Sequence, residues 1–457
     1  VASIVVTDQS KSSRGVYLFL LGILAILLVL MFLGLLAFGL RQSLANAMVS
    51  DKIAELRSRG IPVDNASLQA QYDRNAYADD SSAWTALLRQ LDSSPFKDEG
   101  ALMPILGTEA PIPLEGAWDQ EEMVRKFLAR WDPLYGDLVQ IAQKRRPIRT
   151  IPKFDSFMTL LTAAQQVRQA ARLAQLRAMV ALRDGDSAEL LRANVAMRGM
   201  SASLSADPFL ISQMVESAVN GIALNSLQEG LERGVFSPGE LDDIAQELRK
   251  SLHIGDRWRR AVQGERAGAI PVFDDPARQI GKTAPPWTLA QDRLNFLEFY
   301  ESAESVATED LDEFQQGLMA VEQSFNQKVS GSVLGRLETM ITSQVIPAFS
   351  SAGNALIWDI SRHRLAAVAC GLRQYEGKYG TMPEKLESIE EFGWSMQELQ
   401  PLGGKPFGYR TQPTVVLWGF NSRKRPKTPN DPFELMSGQP DEEASTWIWN
   451  FQPKGSK

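Results

Sequence analysis

The chain has 457 residues, with 48 lysines and arginines against 55 aspartates and glutamates and a formal net charge of −7. That balance lacks the basic surface from which nucleic-acid binders draw their affinity, so no nucleic-acid partner is expected. The single cysteine, Cys370, excludes an intramolecular disulfide framework and a multi-cysteine zinc site, and in Leu365-Ala-Ala-Val-Ala-Cys-Gly-Leu372 it reads as a small buried hydrophobe.

The first element is the strongest. Gly15 to Leu40 carries no charged residue and is bracketed by Arg14 and Arg41. At about 1.5 Å per residue such a run crosses a hydrocarbon core of roughly 30 Å. It is longer than a signal-peptide core of about 7–15 residues, and no small-x-small cleavage site closes it. Residues 15–40 are therefore expected to be a retained single-pass anchor in contact with membrane lipid. Lys11 and Arg14 ahead of the span favour a short cytoplasmic tail over residues 1–14. The expected setting is a bacterial inner (cytoplasmic) membrane with the large domain extracytoplasmic, in the periplasm.

Residues 41–150 read as a helical stalk and an irregular subdomain. Leu44, Met48, Ile53 and Leu56 keep a helical rhythm up to Arg59-Gly60-Ile61-Pro62, where glycine and proline give a stop. Ala78 to Leu91, with Trp84, Leu87, Leu88 and Leu91, predicts a helix, and Pro95 to Gly116 predicts a loop. Residues 151–350 read as a helical-hairpin domain. Phe157 to Leu182 is dense in good helix formers, and Arg183-Asp-Gly-Asp-Ser187 closes that helix and opens the next. Asp207-Pro208 predicts a capping aspartate with proline at the first helical position. Ser237-Pro-Gly-Glu240 is a capping box for a helix to about Leu252. Gly264 to Pro286 reads as loop, with Gly264-Glu265-Arg266 breaking the pattern. Helices resume at Thr288–Ser305, Glu309–Val329 and Val333–Val345.

Residues 351–457 read as a long helix, Asn354 to Gly377, followed by a small β-rich module with strands at Thr414–Trp418 and Thr446–Phe451. The fold class is therefore mainly α: an N-terminal transmembrane helix, an irregular array of helical hairpins without a fixed repeat, and a small C-terminal α+β module.

The C-terminal strip has further content. Tyr375, Gly380, Pro383 and Leu386 follow the Ala-rich helix at set spacing, and Gly404-Lys405-Pro406-Phe407-Gly408-Tyr409 comes next. This strip resembles the segment after the long helix in type II secretion pseudopilins. Most of the chain is similar to a group of planctomycete-type single-pass membrane proteins of unknown function, through the anchor, Arg59-Gly60-Ile61-Pro62, Arg183-Asp184-Gly185-Asp186, Gly264-Glu265-Arg266 and the tail. The resemblance implies an end module in which Tyr375, Pro383 and Tyr409 pack turn and sheet on the helix, and it implies no reaction. It departs from pseudopilins in that over 300 residues separate anchor and long helix, and basic Asn421–Lys427 stands where some pseudopilins carry a calcium-binding acidic segment. Calcium binding and filament formation are not expected.

Catalytic motifs are sparse. His253 and His363 lie far apart, no Gly-x-Ser-x-Gly elbow occurs, and Gly281-Lys282-Thr283 imitates a phosphate loop whose first glycine is replaced by Pro276. Acid runs such as Asp310, Asp312 and Glu313 or Asp441, Glu442 and Glu443 read as solvated faces. No cofactor or metal is expected. Two basic clusters, Lys144, Arg145, Arg146 and Arg149 (with Lys153), and Arg423, Lys424 and Arg425 (with Lys427), are candidate contacts to an anionic surface. Arg257-Trp258-Arg259-Arg260 is a third, with guanidinium stacking on Trp258 open to it. The expected function is a non-enzymatic, membrane-anchored helical scaffold of the bacterial envelope that docks a protein partner or complex. A component of a secretion or pilus-like machine and an envelope hydrolase using carboxylates are the alternatives.

Overall fold

The computed structural model describes residues 10–108, 112–151, 153–154, 162–250, 253–346, 349–396, 399, 407–412, 414–420 and 446–452. Within them the protein is mainly helical, with a small antiparallel sheet at the C-terminus and one apolar helix at the N-terminus.

Helix α1 (Ser10–Ser58) holds the apolar run and is long and apolar enough to cross a membrane. Its side chains there, Phe19, Leu24, Leu28 and Phe32 among them, are exposed, as a lipid-facing surface requires. The helix does not stop at Arg41. Its 49 residues extend about 74 Å. It closes at Gly60 (φ +71°), where the Gly60 N–H donates to the Arg57 carbonyl and the Ile61 N–H to the Leu56 carbonyl. The left-handed residue turns the chain out of the helix while satisfying its last carbonyls. Beyond Arg41 the packed face is Ala45 and Val49, then Ile53 and Leu56, whereas Leu44 and Met48 stay exposed. The small side chains turn inward because a neighbouring helix lies close along that face.

Next come α2 (Asn65–Asn75), α3 (Ala78–Leu91), α4 (Ser94–Gly100), α5 (Glu121–Arg130) and α6 (Asp132–Ala142). Helix α4, with a proline in its first turn, occupies the start of the predicted loop. Helices α7 (Thr162–Asp184) and α8 (Ser187–Ser203) form the expected hairpin. Gly185 (φ +75°) ends the first, and the Asp186 carboxylate accepts the Glu189 N–H at 3.0 Å to open the second. The predicted cap at Asp207 is corrected. Helix α9 (Leu210–Arg233) starts after Phe209, and Asp207 is instead buried, accepting from the Tyr72 hydroxyl at 2.8 Å and from Thr150 Oγ1 at 2.7 Å. Ser237 and Glu240 make the capping box of α10 (Pro238–Leu248), which ends short of Leu252.

A second correction concerns Gly264-Glu265-Arg266, which lies inside α11 (Ile254–Ala269). A Cβ at Gly264 would run into the Pro208 carbonyl oxygen, so the glycine marks a helix pressed against a turn. Beside it Glu265 accepts the Leu210 N–H at 2.9 Å, and Arg266 pairs with Glu304 at 2.8 Å. A 3-10 turn (Ile270–Phe273), α12 (Pro276–Ile280), α13 (Leu289–Ser305) and α14 (Leu311–Ser330) follow. The predicted helix over 333–345 is two short ones, α15 (Val333–Leu337) and α16 (Thr342–Val345). The buried Asp292 carboxylate takes the Ile341 and Thr342 N–H groups at 2.7 and 3.1 Å and fixes the start of the second. Helix α17 (Phe349–Tyr379) precedes a 3-10 turn (Leu386–Phe392) and strands β1 (Gly408–Arg410), β2 (Val415–Phe420) and β3 (Thr446–Phe451). They pair antiparallel in the order β1-β2-β3, with Tyr409 opposite Leu417 and Leu417 opposite Trp449.

Two main cores result. The first draws on residues from Trp84 to Phe451, and at its centre α7, α8, α9 and α17 pack alanines such as Ala170, Ala174, Ala193 and Ala367. The second surrounds the end of α1 with Trp258, Phe296, Tyr300, Phe314 and Phe349. Helix α17 passes through both, contributing Leu356 and Ile360 to the second core and Leu365 to Leu372 to the first.

Candidate functional site

Where the two cores meet, the interior is polar. Arg257 on α11 donates from Nη1 to Asp359 Oδ2 at 2.7 Å, from Nε to Gln213 Oε1 at 3.1 Å and from Nη2 to Ser217 Oγ at 3.0 Å. Asn220 Nδ2 donates to the same Asp359 oxygen at 3.0 Å, and Glu216 stands 3.7 Å from the guanidinium. All of these side chains are buried. Burial opposes the charge on Arg257, but Glu216 and Asp359 outweigh it and hold its pKa above the usual value. The group is an ion triad closed by α9, α11 and α17.

One turn further along α17 a second cluster forms. Arg198 donates from Nε to Glu247 Oε1 at 2.9 Å, Lys250 reaches Glu247 at 2.9 Å, and Arg145 also pairs with it. Burial would raise the Glu247 carboxyl, but Arg198, Lys250 and Arg145 hold it down at about 2. His363 faces the Leu248 carbonyl through Nε2 at 2.6 Å and Arg198 Nη2 through Nδ1 at 3.2 Å. Only one tautomer fits, with the proton on Nε2 and Nδ1 accepting from the guanidinium. Burial and the Arg198 charge push its pKa down to about 3, so the ring is neutral at physiological pH. Both nitrogens are occupied within the chain, so the ring fixes α17 against α8 and α10.

The predicted anionic contacts Lys144, Arg145, Arg146 and Arg149 are brought together, each facing a carboxylate. Lys144 lies 2.6 Å and Arg146 3.4 Å from buried Asp80, Arg149 lies 3.0 Å from Asp73, and Arg145 completes the Glu247 cluster. These pairs cancel much of the positive field that the sequence cluster suggests. Arg423, Lys424 and Arg425 lie outside the described residues, as do Pro406 and the acid run 441–443. Trp258 is fully buried; its Nε1–H donates to the Ala303 carbonyl at 2.7 Å, and its ring packs edge-on against Phe314 and Phe349, not under a guanidinium. Gly281 (φ +65°) caps α12 and the next helix starts only at Leu289, so no helix N-terminus follows Gly281-Lys282-Thr283 as a phosphate loop needs. Asp310 caps α14, taking the Asp312 and Glu313 N–H groups at 2.9 Å.

Among the described residues of the C-terminal motif, Tyr409 and Pro383 meet directly. Gly380 (φ +77°) ends α17, Leu386 is buried in the first core, and the Tyr375 ring lies 4.5 Å from that of Tyr379. The Tyr409 hydroxyl donates to the Pro383 carbonyl at 2.7 Å and ties β1 to the turn after the helix.

Among the acids pushed up by burial, which include Glu216 and Asp292, Asp207 rises to about 6, Glu232 to about 7 and Glu265 to about 7. Asp207 and Glu265 flank the 207–210 turn and Glu232 lies beside β3, and each of the three accepts hydrogen bonds from this chain's own groups. Several surface cavities open among the described residues, one of about 540 Å³ beside Arg74, Tyr77, Pro147 and Arg260. A second of about 330 Å³, between the end of α1, α11 and α13, is lined by Lys52, Arg59, Arg266, Glu55, Glu301 and Glu304, nearly balanced in charge. Another of about 360 Å³ runs between α3, α4 and α7, with Leu91, Phe96 and Leu106 under a rim of Gln166, Arg168 and Arg172. Among the described residues no group of three or more His, Cys, Asp or Glu side chains could hold a metal ion. Sequence reasoning singles out none of Arg198, Glu247 and Asp359, and it reads Arg257 only as part of the basic run 257–260, not as the centre of a buried ion triad. The available signal was Asp359 and His363, four apart on the apolar face of a long helix. No family model, curated protein or solved structure matches this chain.

Proposed function

We propose that this protein is a membrane-anchored helical scaffold of the bacterial envelope, acting by holding a protein partner rather than by turning over a substrate. The carrying observation is the continuity of α1, which leaves its apolar stretch and enters the second core without a break, Ala45 and Val49 being buried there. No flexible linker intervenes between span and body, so the body stands at a fixed height and angle above the bilayer. Such rigidity serves presentation of a docking surface. The grooved face between α3, α4 and α7, apolar at its floor and polar at its rim, has the layout of a protein-binding surface. In this proposal residues 1–14 lie in the cytoplasm, and the body lies on the periplasmic side of the inner membrane, in line with Lys11 and Arg14 ahead of the span.

The test is a mild-detergent pull-down of the full-length protein from its native membrane, with mass spectrometry of what is retained. A stoichiometric envelope partner supports the scaffold, and a solitary protein overturns it. A second reading, a component of a secretion or pilus-like machine, is favoured by one observation: a small antiparallel sheet tied to the end of α17 through Tyr409 and Pro383, the layout implied by the pseudopilin-like strip. Retention of a secretion ATPase or its membrane platform would select it.

A further inference from the structure

Val333, Leu334, Leu337 and Met340 stand exposed in one short run, at 69%, 44%, 36% and 37% of their free area. They are carried by α15 and the turn after it, and this segment is firmly built. Ser332 Oγ accepts the Gly335 N–H at 2.9 Å, and the Thr339 hydroxyl donates to the Gly335 carbonyl at 2.7 Å. Gly335 lies so close to the Lys328 carbonyl oxygen that a side chain there has no room. Four large apolar side chains held rigidly in water are costly unless something covers them.

The place of the segment identifies the cover. Glu338, buried just beyond α15, pairs with Arg41 at 2.8 Å, and Arg41 is the first charge after the apolar span. Asn295 Nδ2 donates to the Glu338 carbonyl at 2.7 Å, which holds α15 beside the foot of α1. Leu40 and Leu44, exposed on either side of Arg41, carry the lipid-facing surface of α1 to the same level. We propose that α15 is a second membrane contact, with Val333, Leu334, Leu337 and Met340 entering the boundary between lipid headgroups and acyl chains beside α1. This rests on the reading of residues 15–40 as the membrane span. Arg336, exposed within the same run, meets the headgroup phosphates while its stem lies along the acyl boundary. With two points of attachment the body is fixed in rotation about α1 as well as in height.

The experiment uses the full chain with Cys370→Ala, reconstituted in phosphatidylcholine–phosphatidylglycerol vesicles. An environment-sensitive fluorophore is placed singly through Leu334→Cys, Leu28→Cys and Gln323→Cys, the last an exposed position on α14. Each is challenged with spin-labelled lipid and with aqueous iodide. A group lying about 5–10 Å into the boundary is expected to shift to the blue and to lose roughly half its emission to a nitroxide near the headgroups. The Leu28→Cys label should respond to a nitroxide deep in the acyl chains, and the Gln323→Cys label only to iodide. If Leu334→Cys behaves like Gln323→Cys, the contact does not exist. Protection of Leu334→Cys from both quenchers means that protein covers α15, which overturns the lipid assignment. If Leu28→Cys escapes the lipid quencher, the span reading falls and the wedge with it. Met340→Cys repeats the measurement independently of any local effect of the Leu334 change.

Discussion

The centre of the first core is packed from small side chains and the second from large rings. Where α7, α8, α9 and α17 meet, alanines line the contacts, and on the α6 side of α8 the helices lie so close that a Cβ at Gly199 would run into the Ala142 carbonyl oxygen. Around the end of α1, Trp258, Phe299, Tyr300, Phe314 and Phe349 stack edge to face with centroids between 5.1 and 5.6 Å apart. Close backbones leave no room to grow, whereas interlocked rings leave a void when one is cut. The two cores are therefore expected to fail under opposite changes, and the charged seam between them under a third.

The largest effect is expected from the ring core. Trp258→Ala should lower the unfolding free energy of the detergent-solubilised chain by about 3–5 kcal/mol, read as a shift in denaturant midpoint. A comparable loss, about 3–5 kcal/mol, is expected for Arg257→Met, which strands the Asp359 and Glu216 carboxylates in the interior. Recovery in the triple change Arg257→Met, Asp359→Leu and Glu216→Leu would show that the seam gives uniqueness rather than net stability. No recovery would assign it a stabilising share of its own.

Next in size is the effect of pH. Asp207 and Glu265, at about 6 and 7, lie above their unfolded values of roughly 4. Each binds its proton more tightly when folded, so its contribution is complete below about pH 4 and is lost as pH rises through 6–7. His363 and Glu247, at about 3 and 2, lie below theirs; their contribution is present above the unfolded values of roughly 6.5 and 4.3 and is lost as pH falls. For these four groups together stability should peak at about pH 4–4.5 and fall by on the order of 3 kcal/mol by about pH 7, with little change beyond it. Glu265→Gln should flatten the alkaline limb in a pH series of unfolding midpoints. An unchanged slope would place that titration elsewhere.

Ala174→Leu, in the small-residue core, should cost about 1–3 kcal/mol by overpacking, while the same enlargement at exposed Ala54 should cost almost nothing. The smallest effect is expected for Arg41→Ala. It removes the half-exposed cation that pairs with buried Glu338, at a cost of about 1 kcal/mol, so its main readout is the tilt of α1 in oriented bilayers rather than an unfolding midpoint.

Local signals in the sequence carried as far as their physics is local. Helix punctuation at Gly60, at Gly185-Asp186 and at the Ser237 capping box, and the helix Ala78–Leu91, were legible because caps and glycine turns act over a few residues. Asp207-Pro208 misled because a buried tyrosine and threonine, distant in sequence, took the carboxylate that would otherwise have capped a helix. Gly264-Glu265-Arg266 misled because its glycine answers a contact with Pro208 from another turn. The basic residues at 144–149 looked like free surface charge, and their partners Asp73, Asp80 and Glu247 are visible only once the chain is folded.

By itself the sequence determined that this protein carries one apolar run able to span a membrane, a mainly helical body and a small C-terminal sheet. Each of those follows from length, periodicity and composition within a segment. Only the tertiary structure decided that the same helix enters the ring core, that a charged seam joins the two cores, and which cations are paired. Those depend on which segments meet, and no single stretch of chain encodes its neighbours.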